Sequence, residues 1–203
     1  ICEGLVGSEM CIRDRLIMGL NYIHQQKISK VYPENKLLRK LNHQHIFILP
    51  FIENDFPLDH VQKGLKNLAK PFKTNKILFK KISEAGKIYM EKGDTLLHGD
   101  YYPGSWIQLD KRLCIIDPEF SFLGPKEFDL GVMAAHIILT TGQRSFFDLV
   151  IKNYQGKINV NMTKIYCGIE IIRRLIGLAQ LPIKRTLKQK KNLLNLANDL
   201  ILQ

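Results

Sequence analysis

The hydrophobic pattern along this chain is mostly that of amphipathic helices. A short helical period runs from Leu16 to His24, a polar stretch reaches Tyr32 and Pro33, a second short helix is expected around Asn35 to Leu41, and an apolar segment covers Ile46 to Ile52. After Pro57, the residues Leu58, Val61, Leu65 and Leu68 form one stripe, and Pro71 is expected to end that helix because its ring cannot continue the backbone ladder. Thr74 reads as the N-cap of a helix whose Ile77, Leu78, Ile82, Ala85 and Tyr89 face one side until Gly93 closes it. Thr95 to Leu97 lead into a loop, His98 to Gly104. Two short apolar runs follow, Trp106 to Leu109 and Arg112 to Ile116, separated only by Asp110 and Lys111, which is the spacing of a tight hairpin. Helices resume at about Asp129 to Leu139, Phe146 to Asn153, Thr163 to Ala179 and Leu187 to Leu202.

Helices around one small antiparallel hairpin make an α+β arrangement. At 203 residues and 45% hydrophobic composition the chain can bury one sizeable core, so one domain is expected over 16–203. Residues 1–15, ICEGLVGSEMCIRDR, show neither helical nor strand period and read as a non-native or irregular leader. The chain begins with Ile, so its true start is expected to lie elsewhere.

Charge and cysteines narrow the function classes. The net charge of +11 raises the question of a nucleic acid partner, but the lysines between Lys63 and Lys87 recur on solvent faces of helices. The basic cluster from Lys184 to Lys191 has no interleaved aromatics for base stacking, so no nucleic acid is expected. The longest apolar stretch, Leu130 to Leu139, contains His136 and is far too short to cross a bilayer, so no membrane is expected either. Four separated cysteines without a CxxC pair argue against a disulfide framework or a zinc site and fit a cytoplasmic protein.

The candidate chemistry surrounds the hairpin. If Asp110 and Lys111 form the turn, Leu109 pairs with Arg112, and counting outward places Ser105 opposite Ile116, which sets Asp117 beside Gly104 and Ser105. Asp117 and Glu119 are two residues apart, so in an extended segment their carboxylates share a face and offer hard oxygens to a magnesium ion. Asp100 lies in the loop just before the hairpin, where Gly99 and Gly104 allow a tight backbone path. Phosphoryl transfer needs one carboxylate to orient an attacking hydroxyl and accept its proton, and separate oxygens for the metal. Asp100 suits the first role, Asp117 and Glu119 the second. His98 reads as a loop histidine bonded to backbone, Asp129 as a helix cap that also steadies the loop, and Trp106 as a core residue. Arg173 and Arg174 can each pair with Glu170 at i+3 and i+4 spacing.

LeuHisGlyAsp at 97–100, ProGlySer at 103–105 and IleAspProGluPhe at 116–120 together resemble the HGDxxxGN and IDxE signatures of the aminoglycoside-phosphotransferase and choline-kinase-like family. Within it, Ser105 in place of Asn, the AspProGluPhe run, PheAspLeuGly at 128–131 and the segment at 170–179 are most similar to the 5-methylthioribose kinases. The resemblance implies the helical C-terminal lobe of a protein-kinase-like fold, with Asp100 as catalytic base, Asp117 and Glu119 as Mg²⁺ ligands, Ser105 at a second metal and cofactor position beside Asp117, and Arg173 and Arg174 near the acceptor. It implies ATP and a small hydroxyl acceptor as partners and Mg²⁺ as cofactor, and it is compatible with a homodimer. Tyr101, Tyr102 and Pro103 depart from the methylthioribose-kinase pattern and leave the acceptor open to an aminoglycoside, choline or homoserine. No Gly-rich loop or phosphate-gripping lysine precedes His98, so the nucleotide-binding lobe is expected to be missing and this piece inactive alone. A noncatalytic binding module is the alternative from another class, opposed by the three retained carboxylates.

Overall fold

The computed structural model describes residues 12–28, 32–110 and 112–203. Residues 1–11 of the expected leader and Lys111 of the hairpin turn lie outside the described residues. In chain order the elements are α1 (Ile12–His24), α2 (Lys36–His43), α3 (Leu58–Val61), α4 (Leu65–Lys73), α5 (Lys76–Met90), β1 (Thr95–Leu97), β2 (Trp106–Leu109), β3 (Arg112–Ile115), β4 (Phe122–Gly124), α6 (Glu127–Thr141), α7 (Ser145–Asn153), α8 (Val160–Ile176) and α9 (Leu187–Leu202). This is the expected α+β lobe, mostly helical with a small β component.

The core is built around α6. Phe128, Leu130, Met133, Ala134, Ile138 and Leu139 are buried on all its sides, so this helix has no solvent stripe and behaves as a central pillar. Helix α8 packs along it. Their close approach depends on Gly131, where a Cβ would sit 2.6 Å from the Cβ of Tyr166. On the far side of α8 lies α9, started by a capping box in which the Thr186 hydroxyl accepts from the Gln189 amide and the Gln189 side chain accepts from the Thr186 amide. An aromatic cluster of Phe47, Tyr89, Phe122, Phe128 and Tyr166 joins α5, α6 and α8 to the strands, with Arg39 stacked 4.2 Å from the Phe122 ring.

Several elements differ from the pattern reading. The stripe after Pro57 is split into α3 and α4 at Gly64, whose φ of 87° breaks the helical path. Pro71 sits inside α4 and does not end it: Phe72 continues into the core and Lys73 closes the helix, so only the one bond that Pro71 cannot donate is lost. The next helix is capped by Asn75, whose side chain accepts from the Ile77 and Leu78 amides, while Thr74 turns back to the Lys70 carbonyl. The apolar segment 46–52 is neither strand nor regular helix but a wide turn over Gln44–Ile48 followed by a tight one over Leu49–Phe51. Residues 12–15, set aside with the leader, form the first turn of α1.

The strands frame the chemistry. Thr95 to Leu97, expected only to lead into a loop, pair antiparallel with Phe122 to Gly124 as a second sheet. Between these two strands the chain makes one excursion, which holds the loop after Leu97 and the β2–β3 hairpin. The hairpin register matches the counted one, with Leu109 opposite Arg112, Trp106 opposite Ile115, and the Ile116 amide donating to the Ser105 carbonyl at 3.0 Å. Asp110 takes a left-handed φ of 51°, as a two-residue turn requires.

Candidate active site

The loop after β1 is built on a carboxylate from the central helix. Asp129, fully buried in the first turn of α6, accepts from the His98 amide at 2.7 Å and the Gly99 amide at 3.0 Å. It does not cap its own helix, which starts two residues earlier. It caps the loop, and α6 thereby fixes where the loop begins. His24 adds a contact to the same carboxylate at 3.3 Å. Gly99 adopts a φ of 83°, and a side chain there would run into the Phe120 carbonyl. Glycine is therefore required twice at this point, by conformation and by space.

Beyond Gly99 the loop is tied inward. The Tyr101 hydroxyl donates to the Leu16 carbonyl at 2.8 Å, the Tyr102 amide to the Asp100 carbonyl at 3.0 Å, and the Ser105 hydroxyl to that same carbonyl at 2.9 Å. The Asp100 backbone is thus held from two sides while its side chain, a quarter exposed, points toward α8. There Arg174 Nη2 stands 3.5 Å from Asp100 Oδ1. Burial, and then the negative charge of Glu170, push the Asp100 carboxyl up to about 6, with Arg174, Arg173 and His98 pulling the other way. A carboxylate tuned to this range is ionised at neutral pH yet basic enough to take a proton.

The second carboxylate segment is not extended. Asp117 is left-handed, with φ of 64° and ψ of 52°, and begins a tight turn over Pro118–Phe120. The premise that Asp117 and Glu119 share a face because they alternate along a strand does not hold. What places them is one tie to the loop, the Ile116 carbonyl facing His98 Nε2 at 2.9 Å, and a second to the residue before α2, where Asn35 Nδ2 donates to the carbonyls of Glu119 at 3.2 Å and Ser121 at 2.7 Å. His98 is thus the backbone-bonded loop histidine that its position suggested. The side chains of Asp117 and Glu119 are exposed, and neither carries a hydrogen bond or ion pair among the described residues. Among the described residues no group of three His, Cys, Asp or Glu could hold a metal ion unaided.

Asp117 and Glu119 thus present exposed carboxylate oxygens, the hard donors that a divalent cation bound partly by phosphate oxygens takes. Ser105 fits less well. It is 1% exposed, and its hydroxyl already serves the Asp100 carbonyl.

Arg173 and Arg174 both pair with Glu170, Arg173 Nη1 at 2.8 Å and Arg174 Nε at 2.6 Å, so both spacings read from the sequence occur at once. Arg174 also lies 4.9 Å over the Tyr102 ring. His136, 2% exposed, contacts Glu170 through Nε2 at 3.0 Å and the Tyr102 ring at 5.5 Å between centroids. Tyr102 and His136 were not singled out as site residues. His136 was hidden inside an apolar run, and only the polar residue breaking that run could have marked it.

The profile of the phosphotransferase enzyme family (APH) matches residues 28–162. A methylthioribose kinase of Geobacillus sp. (strain WCH70) is 25% identical over 91% of this chain and 56% of the enzyme. That of Exiguobacterium sibiricum is 30% identical over 57% of this chain and 29% of the enzyme, and methylthioribose kinase 1 of Oryza sativa subsp. japonica is 28% identical over 57% and 26%. The chain spans about half the length of the relatives that match most of it.

Proposed function

Because the chain belongs to the phosphotransferase enzyme family, we propose that it is the acceptor-side lobe of an ATP-dependent kinase that phosphorylates a hydroxyl of a small sugar-like metabolite. The observation that carries this reading is Asp100. It is a partly desolvated carboxylate on a glycine-shaped loop, aimed at Arg174, whose Nη2 is buried and has no hydrogen-bond partner. A buried donor whose one charged neighbour is the tuned carboxylate, at an ion-pair distance too long for a hydrogen bond, supports a site in which an acceptor oxygen joins the two.

In the proposed step the acceptor hydroxyl donates its hydrogen to Asp100 while its oxygen attacks the γ-phosphorus of ATP; the P–O bond to ADP breaks and ADP leaves with the bonding pair. Arg174 and Arg173 hold the acceptor's oxygens, and Tyr102 covers one face of the Arg174 guanidinium. Asp117 and Glu119 would hold the divalent cation, which when bound offsets the charge of the phosphates. Ser105 supports the site by fixing the Asp100 carbonyl. The half of the nucleotide clamp that carries a Gly-rich loop and lysine is not among the described residues.

Methylthioribose is the leading acceptor. Its support is the arginine pair, the AspProGluPhe run and the names of the relatives. The test uses the product of the complete reading frame that contains this chain. ADP release is followed with methylthioribose, an aminoglycoside, choline and homoserine, in wild type and Asp100→Asn. Turnover of methylthioribose that falls at least about 10³-fold in the variant is the expected result. Turnover of another acceptor alone overturns the acceptor, and undiminished turnover by the variant overturns the role of Asp100.

A further inference from the structure

Behind the arginines lies a buried carboxylate that the transfer step does not itself require. Glu170 is 1% exposed and receives three donors: Arg174 Nε at 2.6 Å and His136 Nε2 at 3.0 Å on Oε1, and Arg173 Nη1 at 2.8 Å on Oε2. Burial alone would push such a carboxyl up, but Arg173, Arg174 and His136 together hold it well below the usual carboxylate range, so it stays ionised. Burial pushes the His136 imidazole down, leaving it neutral with its single N–H on Glu170.

Arg174 is then fixed on every edge but one. Nε is held by Glu170, Nη1 donates to the Ala179 carbonyl at 3.3 Å, and one face lies on Tyr102. Only Nη2 remains, and it is the atom turned toward Asp100. An exposed pair at i+4 on a helix contributes only a few tenths of a kcal/mol and leaves both side chains free to move. A carboxylate placed in the core to receive three donors costs desolvation and is weak evidence for stability; what it yields is orientation.

We propose that Glu170, braced by His136, is a positioning residue of the acceptor site: it fixes the plane of the Arg174 guanidinium so that Nη2 meets an acceptor oxygen beside Asp100. This rests on the kinase reading above. Glu170 touches no reacting atom and acts through Arg174.

The test is a double-mutant cycle in the intact enzyme, with ATP and the acceptor it turns over fastest. Glu170→Gln and Arg174→Lys should each lower acceptor kcat/KM about 10- to 100-fold, chiefly through acceptor KM, with the KM for ATP within about threefold of wild type. The double variant should fall no more than about threefold below Arg174→Lys alone, because the second change removes an effect already lost. Losses that multiply, or a fall in kcat alone with acceptor KM unchanged, overturn the proposal. Glu170→Asp, which keeps the charge but cannot span both arginines, covers the case in which Glu170→Gln does not fold, and should raise acceptor KM at least about 10-fold.

A second measurement needs no turnover. In ¹⁵N–¹H spectra of this chain, the Arg174 Nε–H should give a slowly exchanging resonance that survives Arg173→Lys and disappears in Glu170→Asp. Its absence from the wild-type spectrum overturns the positioning role whatever the enzyme does. Its presence, with no acceptor phosphorylated by the intact enzyme, overturns the kinase reading instead.

Discussion

Asp100→Asn should stabilise this chain, and by an amount that depends on pH. In the folded state the Asp100 carboxyl is raised from its ordinary 3.8 to about 6, with burial as the largest cause. The folded chain therefore binds a proton that the unfolded chain releases between these values. For a group shifted this way, stability is intact below the unfolded pKa and is lost as pH rises through the folded pKa. The loss at neutral pH is roughly 3 kcal/mol, and the side chain is only 25% exposed, so solvent screening trims it modestly. Asparagine has the same shape and cannot ionise, so the variant escapes the penalty. Its advantage should be absent at pH 3.5, grow through pH 4 to 6, and level off near 2–3 kcal/mol at pH 7.5, or about 5–10 °C in midpoint for a chain of this size. Urea unfolding of both proteins at five pH values, read by tryptophan fluorescence and far-ultraviolet dichroism, measures it. A variant less stable than wild type at pH 7.5, or a difference that does not change with pH, would refute the reasoning that Asp100 is held at a cost to the fold.

Asp129→Ala should destabilise by about 2–6 kcal/mol, since it leaves the buried amides of His98 and Gly99 without an acceptor; hydrogen exchange should quicken at those two amides before the rest of the loop. Gly99→Ala should cost at least about 2 kcal/mol and abolish transfer in the intact enzyme, because φ of 83° and the Phe120 carbonyl both oppose a side chain; full activity in that variant would show that the loop can move. Glu170, held well below the usual range, contributes stability that is present above about pH 4.5 and lost as pH falls toward its depressed value. Glu170→Gln should therefore be roughly 3–5 kcal/mol less stable at pH 7, with the gap narrowing in acid, as unfolding curves at pH 7 and pH 3 would record.

What could be read from the sequence was whatever local geometry determines. A two-residue connection at Asp110 and Lys111 leaves one register for the hairpin, and counting from it put Ser105 opposite Ile116 as found. Glu170 and its arginines were legible because three and four residues bring side chains together on a helix. Features set by distant contacts were not. The pairing of β1 with β4 involves three residues a side, too few to show a period, and is fixed by how the excursion between them closes. The stripe from Leu58 to Leu68 keeps helical spacing across Gly64, so nothing in the pattern marks the break. Asp117 and Glu119 were paired on the premise of a strand, whereas a left-handed residue and a tight turn carry them. Asp129 read as a helix cap that also steadies the loop; the structure keeps the second role, through the His98 and Gly99 amides, and drops the first.

The small β1–β4 sheet has one more consequence. By clasping the chain at Leu97 and again at Phe122, it fixes where the excursion leaves and rejoins the helical body, while Tyr101, Asp100 and Glu119 tie its base to α1, α8 and the residue before α2. Lengthening the hairpin tip changes closure entropy only slowly, and the strand residue that packs on α1, Ile115 beside Gly19, lies at the far end of the hairpin. Sequence change can therefore accumulate at the hairpin tip, whereas the base of the excursion, which holds Gly99, Asp100, Asp117 and Glu119, keeps its entry angle through the clasp and the Asp129 anchor. Related chains would then differ in length and sequence at the tip and keep the base.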